Sequence, residues 1–303
     1  MESIMSGNGS HVVACIPYYR CQRYVRRAVE SLLAQTHRDL TVVVVNDADF
    51  ETPPWPALAD ITDPRLIRFD LTENRGLYFA YAVAVGATNA EFFLTQDADD
   101  WSDPNRVRLC LAKMNEERSD FVISVQPQCQ ETASGKIAVV ATHFQRRSHR
   151  ERSGPTILNT TLDNSYLYRA CHHALFRTST LSCIGGYYGG FRLHYDTLLT
   201  NLLLMVGKLS FIQSPLYYRF LWPGAQTSRP ETGFGSEASL LAIQQQQQIY
   251  GQAFDHYKAF TSSRSNAYVL AQSFQRISQQ NVSVQDQYVL DQEVCRLRCL
   301  LHA

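Results

Sequence analysis

Residues 40–45, Leu-Thr-Val-Val-Val-Val, limit what this chain can fold into more than any other stretch. β-Branched side chains crowd the turns of a helix but pack well on a pleated surface. A run with no polar alternation has no side to show to water. It reads as a strand buried on both faces, the mark of a parallel sheet. The flanking sequence supplies the connections that such a sheet needs. Residues 11–16 form a second apolar run, stopped by Pro17. Between the two, residues 22–36 put Tyr24, Val25, Ala28, Val29, Leu32 and Leu33 on one helical face, with Arg23, Arg26, Arg27 and Glu30 opposite. Strand, helix, strand is a βαβ unit.

The alternation continues. Residues 66–71 read as a third strand, 77–88 as a helix of small residues, 92–94 as a strand, 104–117 as an amphipathic helix and 120–125 as a strand. Residues 52–64 carry four prolines and read as a surface loop. The pattern over 11–125 predicts a doubly wound α/β sheet.

The strands stop on polar residues. Phe92-Phe93-Leu94 runs into Asp97, Asp99 and Asp100, three carboxylates within four residues that repel one another. A cation explains such a cluster. Asp97 and Asp99 are two apart, so a strand end or tight turn can aim both at one hard divalent ion, Mg²⁺ or Mn²⁺. The alternative is a solvated acidic turn in which Asp103-Pro104 opens the next helix. Open α/β sheets bind ligands outside the carboxyl ends of their strands. Pro17-Tyr18, Asp47 and Asp97-Ala98-Asp99 all fall at such ends, and a bland acidic turn does not predict that convergence. The chain has no Gly-x-Gly-x-x-Gly after its first strand and no Gly-x4-Gly-Lys-Ser/Thr. A bound nucleotide must therefore have its phosphates held by metal and side chains.

Acidic and basic residues balance at 28 each, against nucleic acid as a partner bound through a global positive field. No apolar stretch approaches the roughly 20 residues of a membrane span. Met1 to Ser10 lacks a basic-then-apolar leader. The expectation is a soluble, cytoplasmic protein. The eight cysteines show no zinc spacing and are expected as mostly buried free thiols.

Residues 126–165 are polar, with Arg146, Arg147, His149, Arg150 and Arg152, and read as a variable surface connection. Residues 166–177 read as a strand near the sheet edge. Four glycines between 185 and 190 predict a loop where backbone passes close to something. His194, Tyr195 and Asp196 follow, leading into a helix over 198–206, where Asp196 suits the helix dipole. Beyond residue 230, helices are expected over 237–260, 265–279 and 285–301. They form an extension packed on the sheet, with dimerisation, acceptor recognition or docking at the inner membrane face as lesser roles.

Together these stretches resemble the family 2 glycosyltransferases of GT-A fold. Pro17-Tyr18 matches the end of that family's first strand, and Ser31-Leu32-Leu33-Ala34-Gln35-Thr36 matches its Ser-Leu-Leu-x-Gln-Thr helix end. Asn46-Asp47-Ala48-Asp49 stands where the family has Asp-Asp-Gly-Ser. Asn74-x-Gly76-Leu77 and Asp97-Ala98-Asp99-Asp100 match two further motifs. Gly185-Gly186-Tyr187 through Asp196 to Gly207, and Tyr218-Arg219 with Pro223-Gly224 and Ser228, resemble the closing ones. The likeness covers residues 11–228, with the motifs in order.

The resemblance implies a GT-A domain over 1–230 with a helical extension over 231–303. It implies a metal-dependent inverting transfer from a nucleotide-diphospho-sugar, most often UDP-linked, to a glycan, lipid-linked, peptide or small-molecule acceptor. Pro17, Tyr18, Asp47 and Asn74 would bind the nucleotide. Asp97 and Asp99 would hold Mn²⁺ or Mg²⁺ against the diphosphate, Arg219 would add positive charge, and Asp196 would be the general base. Trp222 stands in place of the family's closing His, and His194 is the expected substitute at the metal. His172 and His173 read as strand residues near the acceptor side. The alternatives are a non-catalytic nucleotide-sugar scaffold and a sugar nucleotidyltransferase. The second would want a Gly-rich loop where this chain has Pro17-Tyr18-Tyr19-Arg20-Cys21.

Overall fold

The valine run forms β2 (Leu40–Asn46), which pairs in parallel with β1 (Val12–Tyr18) in a register setting Val12 opposite Leu40 and Tyr18 opposite Asn46. The computed structural model describes residues 10–143, 172–263 and 267–302. Helix α1 (Gln22–Leu33) makes the crossover. Then come β3 (Leu66–Asp70), α2 (Leu77–Ala87), β4 (Phe92–Thr95), a two-residue β5 (Trp101–Ser102), α3 (Arg106–Glu117), β6 (Phe121–Glu131) and β7 (Ile137–His143). After residue 171 the chain forms β8 (Leu175–Arg177), α4 (Thr178–Cys183), α5 (Tyr195–Val206), β9 (Leu209–Pro215) and β10 (Tyr217–Leu221). Three helices follow, α6 (Glu237–Ser263), α7 (Ala267–Ser278) and α8 (Val284–Leu301). The sheet runs β3-β2-β1-β4-β8-β6-β10-β5, with β7 and β9 also on β6. The β3, β2, β1 and β4 pairings are all parallel, as the valine run requires.

Strand alternation divides the core in two. Val13, Cys15, Val43, Val45, Phe69 and Phe93 face a cluster shared with α2, α5 and the C-terminal helices. Val12, Ala14, Ile16, Val42, Val44 and Leu94 face one shared with α1 and α3. Helix α2 is buried from Tyr78 to Val85 because the sheet covers one side and α8 another. A Cβ at Gly86 would stand 2.8 Å from Val294 Cγ2, so only glycine lets α8 come this close. No helix among the described residues is long and apolar enough to cross a membrane.

Two expectations need correction. The strand expected near the sheet edge over 166–177 is, where described, the interior strand β8, antiparallel to both β4 and β6. The polar connection expected over 126–165 is, as far as residue 143, the hairpin of β6 and β7. Its polar residues lie in the second half of β6 and in the turn, whereas the edge strand β7 is mostly apolar yet exposes Ile137, Val139 and Val140. Residues 144–165, with their arginines, lie outside the described residues. Cys15, Cys21, Cys110 and Cys129 are buried free thiols as expected, but Cys295 and Cys299 are exposed.

Candidate active site

Strand β4 ends and the chain turns at once, the Asp100 N–H donating to the Asp97 carbonyl at 3.3 Å. That turn sends the three carboxylates to different partners. Asp100 points inward, accepting from the Tyr217 hydroxyl and from the Phe220 N–H, both at 2.6 Å. Tyr217 also accepts from the Asp97 N–H (3.1 Å), stacks on His173 at 4.3 Å and lies 4.5 Å from the Arg106 guanidinium. Arg106 is itself fully buried, held by Gln96, Ser102 and the Thr95 carbonyl. Asp99 is half-buried and accepts from the Trp222 indole at 2.7 Å. Asp97 accepts from Tyr81 (3.1 Å) and meets both histidines that precede β8. His172 Nε2 lies 3.1 Å from one carboxylate oxygen and His173 Nε2 2.9 Å from the other.

These neighbours set the charges. Burial works against an ionised Asp97, but His172 and His173 together hold its carboxyl well below the usual range. Burial, and then the charge of Asp97, pushes Asp99 up to about 6. Burial and the two neighbouring aspartates push Asp100 well up. Burial also lowers both histidines, but Asp97 outweighs it at His172 and raises that ring. At His173, burial and the charge of His172 bring the value down to about 3. The Arg219 guanidinium on β10 favours the charged forms of Asp99 and Asp100.

Two donor sets lie close enough to share an ion, with ligand atoms within 4.8 Å of one another: Asp97, Asp99 and Asp100, and Asp97, His172 and His173. The all-oxygen set suits the expected Mg²⁺ or Mn²⁺. Asp100 is buried with both oxygens engaged, whereas Asp97 and Asp99 are only half-buried and are the two that can face an ion. His194 belongs to neither set. It caps α5 with φ +60° and has its Nε2 2.7 Å from the Ser239 hydroxyl. The histidines at the carboxylates are His172 and His173. Adjacent residues in irregular backbone carry no periodicity, so only the bare His-His pair could have marked them.

At the end of β2, Asp47 accepts from the N–H groups of Arg75 (2.7 Å) and Gly76 (2.8 Å) and from the Asn74 amide (2.9 Å). Burial raises its carboxyl, and the two backbone donors pull it back. Arg192 in turn donates to the Asn74 side chain at 2.9 Å. Asp47 and Asn74 are thus brought together as expected, in a turn that opens α2. Pro17 and Tyr18 are buried in β1, and the Tyr18 hydroxyl donates to the Thr52 carbonyl. Asp196 stands in the first turn of α5 and accepts from the Tyr78 hydroxyl at 2.8 Å. Tyr78 stands edge-on to His172 at 6.2 Å, and the charge of Asp196 is felt at His172. Asp196 and the acidic turn therefore meet around one imidazole.

A parallel half-sheet with an acidic turn at its carboxyl edge, continued by strands on β6 and helices behind, is the GT-A architecture. TarS of S. aureus (residues 1–349), solved in complex with UDP-GlcNAc, superposes on 93% of this chain and 79% of its own with a TM-score of 0.56 at 20% identity. Among sequences, the chain is 31% identical over 104 residues to a chondroitin synthase of Escherichia coli, covering 34% of this chain and 15% of that one. It is 23% identical over 130 residues to the putative glycosyltransferase EpsH of Bacillus subtilis, covering 43% and 38%. The pattern of Glycosyl transferase family 2 matches residues 13–185, more than half of the 303. The chain belongs to that family. It spans well under half the length of these two relatives.

Proposed function

We propose that this chain transfers a sugar, with inversion, from a nucleotide-diphosphate donor, most simply a UDP-sugar, to an acceptor hydroxyl. The observation that supports the reading is Asp97 and Asp99 side by side at one turn, with the charges of Asp97, Asp196 and Arg219 all felt at His172. Asp97 and Asp99 would hold Mn²⁺ or Mg²⁺, which when bound neutralises the charge of the leaving diphosphate. Arg219 adds a fixed positive charge there. Asp196, held by Tyr78, accepts the proton of the attacking hydroxyl. Asp47 and Asn74 shape the nucleoside end through the turn they share, beside Pro17 and Tyr18. The UDP-GlcNAc bound by TarS makes that donor the first to try.

Trp222 on Asp99 favours a second reading, a nucleotide-sugar binder that has lost transfer. One assay separates the two. Thermal stability and nucleotide release are followed against a panel of nucleotide-sugars, with and without Mn²⁺. Transfer predicts a donor that raises the melting temperature only with metal and is slowly hydrolysed, with hydrolysis lost in Asp97→Asn. A stabilising donor that is never turned over supports the binder. No stabilisation by any donor overturns both.

A further inference from the structure

We infer that Asp97, His172 and His173 form a nitrogen-and-oxygen metal site of their own, one that takes a divalent transition ion such as Zn²⁺ or Co²⁺ before any nucleotide arrives. The inference rests on Asp97 facing a cation, as proposed above, but not on sugar transfer.

Three observations carry it. The first is spacing. Donors about 2.0–2.1 Å from a tetrahedral ion stand about 3.3 Å apart. The two imidazole Nε2 atoms lie 3.1 and 2.9 Å from the two Asp97 oxygens, so a small inward adjustment of an ion and outward one of the donors closes the site. The second is wiring. The Tyr187 hydroxyl lies 3.2 Å from His172 Nδ1. The Gln126 side-chain amide lies 3.3 Å from His173 Nδ1. Each ring thus has an outer polar partner at Nδ1 and turns Nε2 toward Asp97, the arrangement in which outer partners orient metal-bound histidines. The third is enclosure. Both rings are buried and reach the two Asp97 oxygens from the protein side, so the three donors converge on one point.

Two imidazoles with one carboxylate suit borderline transition ions, whereas Mg²⁺ selects oxygen donors and water. The side chain of Asp97 is 27% exposed while both histidines are buried, so the site is walled on the protein side and open toward the cleft.

The test is Co²⁺ titration of tag-free, chelator-stripped protein with no nucleotide present, followed by visible absorption and by displacement with Zn²⁺. The expected result is a stoichiometric Co²⁺ band that Zn²⁺ abolishes and Mg²⁺ does not. His172→Gln and His173→Gln each weaken Co²⁺ binding at least tenfold, the lower end of what losing even an outer partner costs. Gln126→Ala, which leaves all three donors in place, weakens it less. Asp99→Asn leaves it unchanged. A wild-type protein with no band, or one whose band survives both histidine variants, overturns the inference. Donor stabilisation by Mn²⁺, measured separately in the same preparation, keeps that result distinct from failure of the transferase reading.

Discussion

Two strand ends flank that of β1 in the sheet and carry the same kind of residue to opposite purposes. At the end of β2, Asp47 and Asp49 answer backbone. Asp47 takes the N–H groups of Arg75 and Gly76, and Asp49 takes the N–H groups of Arg20 and Thr52 and the Thr52 hydroxyl. At the end of β4, Asp97 and Asp99 answer ionisable or ring-borne groups, His172, His173 and Trp222, and stay partly open to the cleft. A carboxylate saturated by amides is a fixture of the chain path. One that faces titratable rings in a cleft is chemistry in waiting. The identity of the donors, more than the acidity of the motif, tells the two apart.

The comparison can be broken first at β4. Asp99→Asn and Asp97→Asn should each reduce transfer by about 10³-fold or more, the scale of losing a preorganised charge at a reacting centre. The melting temperature should hold or rise in Asp99→Asn, which removes a raised acid beside a like charge. It should fall in Asp97→Asn, which gives up the pairing with His172 and His173. A large fall in stability with modest loss of turnover would put them in the same class as Asp47. Next is Asp196→Asn, expected to cost about 10²–10⁴-fold in turnover, the range for a general base. Donor binding by calorimetry should be retained, and unchanged turnover removes Asp196 from that role. The opposite pattern is expected at β2. Asp47→Ala leaves two part-buried N–H groups unanswered and should destabilise the fold by about 1–3 kcal/mol, read by urea denaturation. The smallest effect is in the pH dependence of Asp49. Burial alone would raise its carboxyl, but Thr52 and Arg20 outweigh it and hold it low. A depressed acid stabilises the fold above its unfolded value of about 3.9 and loses that contribution as pH falls through its folded value. Asp49→Ala should therefore flatten the loss of stability below about pH 4, while Asp47→Ala, removing a raised acid, should not.

The sheet and its acidic rim were legible in the amino acids because both rest on local rules. Unbroken β-branching in residues 40–45 can hide from water only inside a parallel sheet, and Asp97-Ala98-Asp99-Asp100 follows an apolar strand directly. Partners that meet across the fold left no such trace. His172 and His173 precede a three-residue strand, too short for alternation to assign a face. The role of Tyr217 as the link between Asp97, Asp100 and His173 comes from β10 pairing with β5, where Tyr217 stands opposite Ser102, far away in sequence. His194, the expected substitute for the closing His that Trp222 replaces, instead caps α5 with its ring at Ser239. The β6–β7 hairpin reads as a connection because the glutamines of β6 and the polar turn from Thr132 to Lys136 mask the apolar run from Ile137 to Ala141.

The close approach at Gly86 has a consequence for anyone who would divide this protein. Helix α8 is joined to the turn that opens α2, since Arg75 pairs with Asp286 and Glu293 accepts from Thr72. That same turn is latched by Asp47. The last helix thus braces the turn held by Asp47 from behind, like a keystone set after the arch it closes. A version cut at residue 230 would lay bare the apolar back of α2 and loosen the turn at once. Tags, fusions and shortened versions made for crystallisation or biosensing should therefore leave residues 284–301 in place.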